Sequence, residues 1–197
     1  MKKRINNEMD VIFLLDRSGS MGGIEKDTIG GYNSYIDSQR GKNVKVTTIL
    51  FDDKYEVLHN REDVDNIKKL TNKEYYVRGC TALLDAIGKT IREMEAKNPN
   101  RVMFVITTDG YENASKEYNK SQIKELIESH KDWKFMYIGA DIDSYSEGRS
   151  IGIDDSFIAN YEKSEKGVKK LYKAVSKLSC IFYDEDEIDE SWKNELE

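Results

Sequence analysis

Two near-continuous apolar stretches constrain the fold of this chain most strongly. Residues 9–15 read MDVIFLL and residues 101–107 read RVMFVIT, and each stretch is followed within two residues by an aspartate, Asp16 or Asp109. A strand that helices cover on both faces has no solvent-facing side, so its sequence shows an unbroken apolar run rather than alternation. The two stretches therefore predict neighbouring, buried, parallel strands.

The rest of the chain alternates between strand and helix patterns. Further strands are expected at residues 44–51, 55–58, 133–138 and 156–159, and helices at residues 24–39, 64–70, 81–96, 118–130 and 163–178. The turn at residues 52–54 joins the second and third strands as a hairpin. The prediction is a doubly wound α/β fold with a mostly parallel sheet of about six strands, one antiparallel edge strand and helices on both faces.

Two details of the helices are also expected. Thr81 can cap the helix that follows it. Gly30 and Gly31 interrupt the first helix, which we attribute to close packing of that helix on the sheet.

The chain is acidic, and its sequence contains no long basic stripe. Its 31 Lys and Arg residues are outnumbered by 37 Asp and Glu residues, which gives a formal net charge of −6. Nucleic acid is therefore disfavoured as a partner, because phosphate binding needs a concentrated positive field. The length suits one domain, which we place at residues 1–183. Residues 184–197 form an acidic C-terminal segment, expected to be either a solvated terminus or a partner-binding tail.

The sequence favours a cytoplasmic protein that has no membrane partner. No apolar run approaches the ~18 residues of a membrane span, and polar residues follow the basic start, unlike in a secretory leader. The two cysteines, Cys80 and Cys180, form neither a disulfide framework nor a thiolate metal site.

Oxygen-bearing side chains follow the ends of the predicted central strands. Asp16, Ser18 and Ser20 alternate along the chain, so their side chains can point the same way. Asp109 ends the neighbouring strand, and Thr81, in the loop before a helix, can reach the same edge, where sheets of this kind bind ligands. Two carboxylates and three hydroxyls favour Mg²⁺, or Mn²⁺ or Ca²⁺, over Zn²⁺ or copper. We predict a metal site at these five residues.

The motifs that carry these residues resemble the metal-ion-dependent adhesion site (MIDAS) of the von Willebrand factor type A (vWA) family. They are DRSGS at residues 16–20, GCT at residues 79–81 and TDG at residues 108–110. The first motif alone is a weak signal, but all three in order, each after the expected element, are specific. The resemblance spans residues 9–178, is closest to small stand-alone bacterial or phage vWA proteins, and implies a Rossmann-like vWA fold.

The resemblance also implies roles for the site residues. Ser18 and Ser20 would bind the metal directly, Asp16 mainly through water, and Thr81 and Asp109 directly or through water. A Glu or Asp of a protein partner would complete the coordination. Neutral hydroxyl ligands favour this bond, because they leave the charge of the ion poorly compensated.

Five further residues near this edge are candidates for the rim that a partner touches, and the two aspartates among them could instead lie behind the metal ligands and support them. They are Arg17, Met21, Asp52, Tyr111 and Asp141. Tyr111 is expected to be exposed, and an exposed aromatic side chain beside a metal can anchor a partner.

The function expected from these features is divalent-metal-dependent protein binding without catalysis. One alternative is a Mg²⁺-dependent hydrolase or phosphotransferase, since an aspartate at a strand end beside Mg²⁺ is used by such enzymes. Another is a structural component of a bacterial or phage assembly. The protein partner could also be an ATPase. Such an ATPase would be a separate chain, because this sequence contains no ATPase motif.

Overall fold

Six strands form one sheet with the two apolar stretches at its centre. The computed structural model describes residues 8–184 and 188–196. The strands are β1 (Met9–Asp16), β2 (Val44–Phe51), β3 (Tyr55–Asp63), β4 (Val102–Thr108), β5 (Lys134–Gly139) and β6 (Ile158–Asn160). Their order is β3-β2-β1-β4-β5-β6, and only the β2–β3 pair is antiparallel among the described strands. The predicted fold class is confirmed, including the antiparallel edge strand.

Helices cover both faces of the sheet. They are α1 (Glu25–Gln39), α2 (Leu83–Glu95), α3 (Lys120–Ser129), α4 (Ser144–Ser150) and α5 (Glu165–Asp184). The buried side chains of α1 and α5 share one apolar core, and those of α2 and α3 belong to a second core on the opposite face. Gly148 of α4 packs against Ile158 of the second core.

Burial on both faces of the sheet explains the near-continuous apolar sequence of β1. Val11, Phe13 and Leu15 belong to the core beneath α1 and α5, whereas Ile12 and Leu14 belong to the core on the other face. All five side chains are fully buried. A strand that contributes to two cores has apolar residues on both of its faces.

Several element boundaries differ from the sequence prediction. Helix α2 begins at Leu83 after Ala82, so Thr81 is not its cap. The helix predicted at residues 64–70 is a single 3-10 turn, Val64–Asn66. Helix α4 was not predicted, because its seven residues have no apolar repeat; the Asp143 side chain caps it by accepting a hydrogen bond from the Ser146 amide.

The two glycines of α1 have different surroundings. A Cβ on Gly31 would lie 2.1 Å from a ring carbon of Tyr172 in α5, whereas a Cβ on Gly30 would meet nothing within 4 Å. The close packing is therefore between α1 and α5, and the expected contact of this glycine pair with the sheet was wrong.

The described end of the chain packs on the domain. Trp192 is fully buried, and its indole N–H donates to the Ser156 carbonyl oxygen at 3.1 Å. Lys177 of α5 donates to the Ser191 carbonyl oxygen at 2.9 Å. Residues 188–196 are therefore part of the fold and not a solvated tail, because the acidic segment carries an aromatic side chain that the core buries.

Parts of the predicted domain and of the predicted acidic C-terminal segment lie outside the described residues. These are residues 185–187 and 197 of the acidic segment and residues 1–7 of the predicted domain. Within the described ranges, no helix has both the length and the apolar character needed to cross a membrane.

Candidate metal centre

The carboxyl ends of β1 and β4 bring the predicted ligands to one edge of the sheet. Leu15 of β1 pairs with Thr107 of β4, so the chain leaves both strands side by side. After Asp16, the chain enters the 3-10 turn Gly19–Met21. The Ser18 amide donates to Asp16 Oδ1 at 2.7 Å, and the hydroxyl oxygens of Ser18 and Ser20 lie 3.0 Å apart. The two hydroxyls therefore face the same space.

Gly110 marks the point where three hydroxyls converge. A Cβ on Gly110 would lie 3.0 Å from Thr81 Oγ1, 3.1 Å from Ser20 Oγ and 3.9 Å from Ser18 Oγ. These hydroxyls come from two different loops, and Gly110 comes from a third. The missing side chain of Gly110 leaves open a small cradle lined by neutral oxygen atoms.

Asp16 is buried, and both of its carboxylate oxygens accept hydrogen bonds. Oδ2 accepts from the Thr108 hydroxyl at 2.6 Å, and Oδ1 accepts from the Ser18 amide. Burial raises the pKa of Asp16 to about 6, and the hydrogen bonds from Thr108 and Ser18 oppose this increase. Asp16 therefore orders the loop and supplies negative charge to the site, but its oxygens already have partners.

Asp109 is buried like Asp16, but its carboxylate oxygens have no hydrogen-bond donors among the described residues. Its side chain is 1% exposed, and neither carboxylate oxygen accepts a hydrogen bond from any described residue. The ammonium nitrogen of Lys163 lies 2.8 Å from Oδ2 in an ion pair that lacks hydrogen-bond alignment. A buried carboxylate without hydrogen bonds is costly unless a cation compensates it. Asp109 is therefore suited to bind a cation.

Hydrogen bonds from backbone amides fasten the three loops to one another. The Thr81 amide donates to Asn113 Oδ1 at 2.9 Å, and the Asn113 amide donates to the Thr81 carbonyl oxygen at 3.0 Å. The Gly19 amide donates to the Gly79 carbonyl oxygen at 3.2 Å. These bonds hold the backbones of the three loops together at the site.

Three residues of the site were missed by the sequence interpretation. Thr108 could have been found, because it lies beside Asp109 in the third motif. Asn113 and Lys163 had no signal of their own, since their roles come from contacts with residues that are distant in sequence.

Two of the predicted rim residues are at the surface. Tyr111 is 53% exposed, and its hydroxyl accepts a hydrogen bond from the Asp143 amide at 3.3 Å. Asp141 is also exposed and has a positive φ of 55°. Both residues follow strands whose carboxyl ends lie at the edge of the sheet that carries the candidate ligands, which we call the metal edge. Asp141 follows β5, and Tyr111 follows β4.

The other three rim candidates, Arg17, Met21 and Asp52, are buried in this structure and form no exposed surface. Met21 is 1% exposed and belongs to the core beneath α1 and α5. Arg17 Nε lies 2.9 Å from Asp52 Oδ2, and these side chains are 1% and 0% exposed. Arg17 also contacts Glu56 at 2.7 Å. The ion pair between the loops after β1 and β2 compensates the burial of Arg17 and Asp52.

The donor set fits a hard divalent cation. Two carboxylates and three hydroxyls meet at this edge, and the described part of the chain contains no cluster of three or more carboxylate, imidazole or thiol side chains that could hold a metal. Oxygen donors of this kind suit Mg²⁺, Mn²⁺ or Ca²⁺, with water or an outside ligand filling the remaining positions. The hydroxyl cradle beside Gly110 and the Asp109 carboxylate, whose oxygens accept no hydrogen bond from the described residues, are the structural features that fit such an ion.

Neither a model of a known protein family nor a curated protein matches this sequence. Solved structures do resemble the fold. The vWF domain of the type V pili tip protein Mfa5 from Porphyromonas gingivalis has a TM-score of 0.69 at 10% identity, covering 91% of this chain and 97% of that one. Manganese-loaded TRAP protein from Plasmodium vivax has a TM-score of 0.61 at 19% identity, covering 85% and 74%.

A third similar structure is proximal thread matrix protein 1 from the mussel byssus, with zinc in its MIDAS motif. Its TM-score is 0.67 at 17% identity, and the match covers 88% of this chain and 46% of that one. This chain therefore spans about half the length of that protein. At such low identities, the three likenesses establish the fold alone: the chain has the fold of a vWA domain.

Proposed function

We propose that this protein is a divalent-metal-dependent protein-binding module. Ser18, Ser20, Thr81 and Asp109 would hold the ion, and Asp16 would act through its hydrogen-bonded loop and its charge. When bound, the ion supplies a positive charge that neutral hydroxyls compensate poorly, so an acidic side chain of a partner can complete its coordination. The observation that carries the proposal is the buried Asp109 carboxylate, whose oxygens accept no hydrogen bond from the described residues.

The identity of the ion follows from donor chemistry. Hydroxyl and carboxylate oxygens favour Mg²⁺, with Mn²⁺ or Ca²⁺ as alternatives. Two proteins of similar fold contain divalent ions, manganese in the Plasmodium vivax protein and zinc in the MIDAS motif of the mussel protein. These ions support a divalent metal in this fold, and the choice of Mg²⁺ rests on the donor set of this chain.

The exposed surface beside the site suits a protein partner. Tyr111 presents a half-exposed ring one residue after Gly110, and large aromatic side chains commonly dominate the binding energy of protein interfaces. We propose that Tyr111 packs against the partner while an acidic residue of the partner reaches the metal. Asp141 lies exposed near the same edge and would contribute to the polar rim.

We propose binding without catalysis. The site residues are hydroxyls and carboxylates that the ion would engage, and both histidines have partners elsewhere. His59 lies in β3 and shares a hydrogen bond with the Tyr32 hydroxyl, and His130 Nε2 contacts Glu95 at 3.2 Å. Neither histidine is placed to act as a general base for a hydroxyl nucleophile of the site. A phosphatase or nucleotidase activity that disappears in Asp109→Ala would overturn this part of the proposal.

The function can be tested by capturing partners from a native lysate. Wild-type protein, Asp109→Ala and Asp132→Ala serve as baits, each with Mg²⁺ and with EDTA. Asp132 is an exposed aspartate that precedes β5, so its removal matches the charge change away from the site. We expect a partner, such as an ATPase or an assembly component, that wild type and Asp132→Ala retain only with Mg²⁺ and that Asp109→Ala loses. Identical capture in every lane would contradict metal-dependent binding.

A further inference from the structure

Lys163 places a positive charge inside the candidate metal centre. It lies between β6 and α5, and its ammonium nitrogen is 2.8 Å from Asp109 Oδ2. The same ammonium donates a hydrogen bond to the Ser20 carbonyl oxygen. One lysine therefore connects the loop after β1 with the loop after β4, across the cradle that the hydroxyls line.

The ammonium and a divalent ion require the same carboxylate. Asp109 accepts no hydrogen bond from the described residues, so Lys163 supplies its observed compensation. Two cations that share one buried carboxylate repel each other strongly, because the site is poorly screened by solvent. Binding of a divalent ion and the observed position of Lys163 are therefore mutually unfavourable.

We propose that Lys163 is an internal cation that competes with the divalent ion for Asp109. This inference rests on the proposed metal-binding function. In the metal-free protein, the ammonium neutralises the buried carboxylate. On metal binding, the ammonium moves toward solvent, which the 24% exposure of the Lys163 side chain and its flexible four-carbon stem allow. Lys163 thereby lowers the affinity for metal and keeps the metal-free form stable.

Competition can be distinguished from a purely structural ion pair. A structural pair would stabilise the metal-free and metal-bound forms alike. A competing cation stabilises only the metal-free form, so removing it lowers the stability without metal and strengthens the binding of metal.

The test compares wild type, Lys163→Gln and Lys166→Gln, each stripped of metal. Lys166 is an exposed lysine at the start of α5, so its replacement gives the same change in net charge as a matched control. Calorimetric titration with Mn²⁺ measures affinity, and thermal unfolding with and without Mn²⁺ measures stability. We expect Lys163→Gln to bind Mn²⁺ about fivefold tighter, the upper range for an ion pair that keeps some contact with solvent. We also expect a lower unfolding temperature without metal and a larger rise on adding Mn²⁺, with Lys166→Gln resembling wild type.

The other outcomes separate this inference from the proposed function. Equal or weaker Mn²⁺ binding by Lys163→Gln, with clear binding by wild type, would overturn competition and leave the metal site standing. The same gain of affinity in both lysine variants would also overturn it, because it would show a general effect of charge. Absence of Mn²⁺ binding in all three proteins would contradict the metal site itself.

Discussion

At the scale of single residues, the site depends on the missing side chain of Gly110. A methyl group there would lie 3.0 Å from Thr81 Oγ1 and 3.1 Å from Ser20 Oγ. We predict that Gly110→Ala weakens Mn²⁺ binding by at least about tenfold, in the range seen when the surroundings of a metal are disturbed. Calorimetric titration measures the effect.

Gly19→Ala is the matched control for this variant. A Cβ on Gly19 would lie 3.6 Å from the Gly79 carbonyl oxygen, an ordinary contact, although Gly19 stands between two site serines. Equal loss of Mn²⁺ affinity in both variants would show that the loop tolerates no change and that the cradle at Gly110 has no special role.

The site residues differ in how far the sequence could predict them. Asp16 and Asp109 follow apolar strands and belong to local motifs, so their meeting at one edge follows from the parallel order of β1 and β4. Lys163 could not be predicted, because its partner Ser20 is 143 residues away and the contact depends on the path of a loop. The burial of Arg17 could not be predicted for the same reason, since it depends on Asp52 across 35 residues.

At the scale of elements, Asp85 connects α2 to the loop that precedes α3. Its carboxylate accepts three backbone hydrogen bonds, each 2.9 Å long, from the amides of Lys116, Glu117 and Tyr118. Burial alone would raise the pKa of Asp85, but these amides outweigh it and hold the pKa below the ordinary value of 3.8. The ionised carboxylate is therefore favoured in the folded state.

We predict that Asp85→Asn lowers the free energy of unfolding at pH 7 by about 1–3 kcal/mol, the usual cost of poorly satisfied buried polar groups. The contribution of Asp85 is present above its unfolded pKa and is lost as pH falls through its lower folded pKa. The difference between wild type and variant should therefore shrink below about pH 4. Urea unfolding across pH 3–7 measures it, and a difference that stays constant with pH would exclude the proposed role of the charge.

Elements with strong apolar patterns were predicted well, and short polar ones were not. The run at residues 9–15 lies wholly within β1, and both faces of that strand are buried. Helix α4 contains only seven residues, including Gly148, and depends on a side-chain cap and on packing against Ile158. Such an element is defined by tertiary contacts and leaves no periodic signal in the sequence.

At the scale of the whole molecule, the packed C-terminal residues lie beside β6 at one lateral edge of the sheet, away from the candidate ligands at the central strands β1 and β4. The candidate ligands follow the carboxyl ends of β1 and β4, whereas Trp192 bonds to Ser156, which precedes β6. Residues 188–196 are therefore expected to contribute to stability and not to metal binding.

We predict that Trp192→Ala lowers the free energy of unfolding by about 3 kcal/mol, as expected when a large buried side chain is removed from a core. Amide hydrogen exchange in residues 188–196 should accelerate, while Mn²⁺ affinity stays unchanged. Glu190→Ala, an exposed position in the same terminal turn, serves as the control. A loss of Mn²⁺ affinity in Trp192→Ala would show that residues 188–196 are coupled to the metal site.

The proposed function requires that the edge formed by β1 and β4 binds a divalent ion through Asp109. Calorimetric titration of the metal-stripped protein with Mn²⁺ tests this most directly, with Asp109→Ala and Asp132→Ala measured under the same conditions. We predict saturable binding of a single ion per chain by wild type and Asp132→Ala, and its loss in Asp109→Ala. Binding that is absent from wild type, or that persists unchanged in Asp109→Ala, would contradict the account.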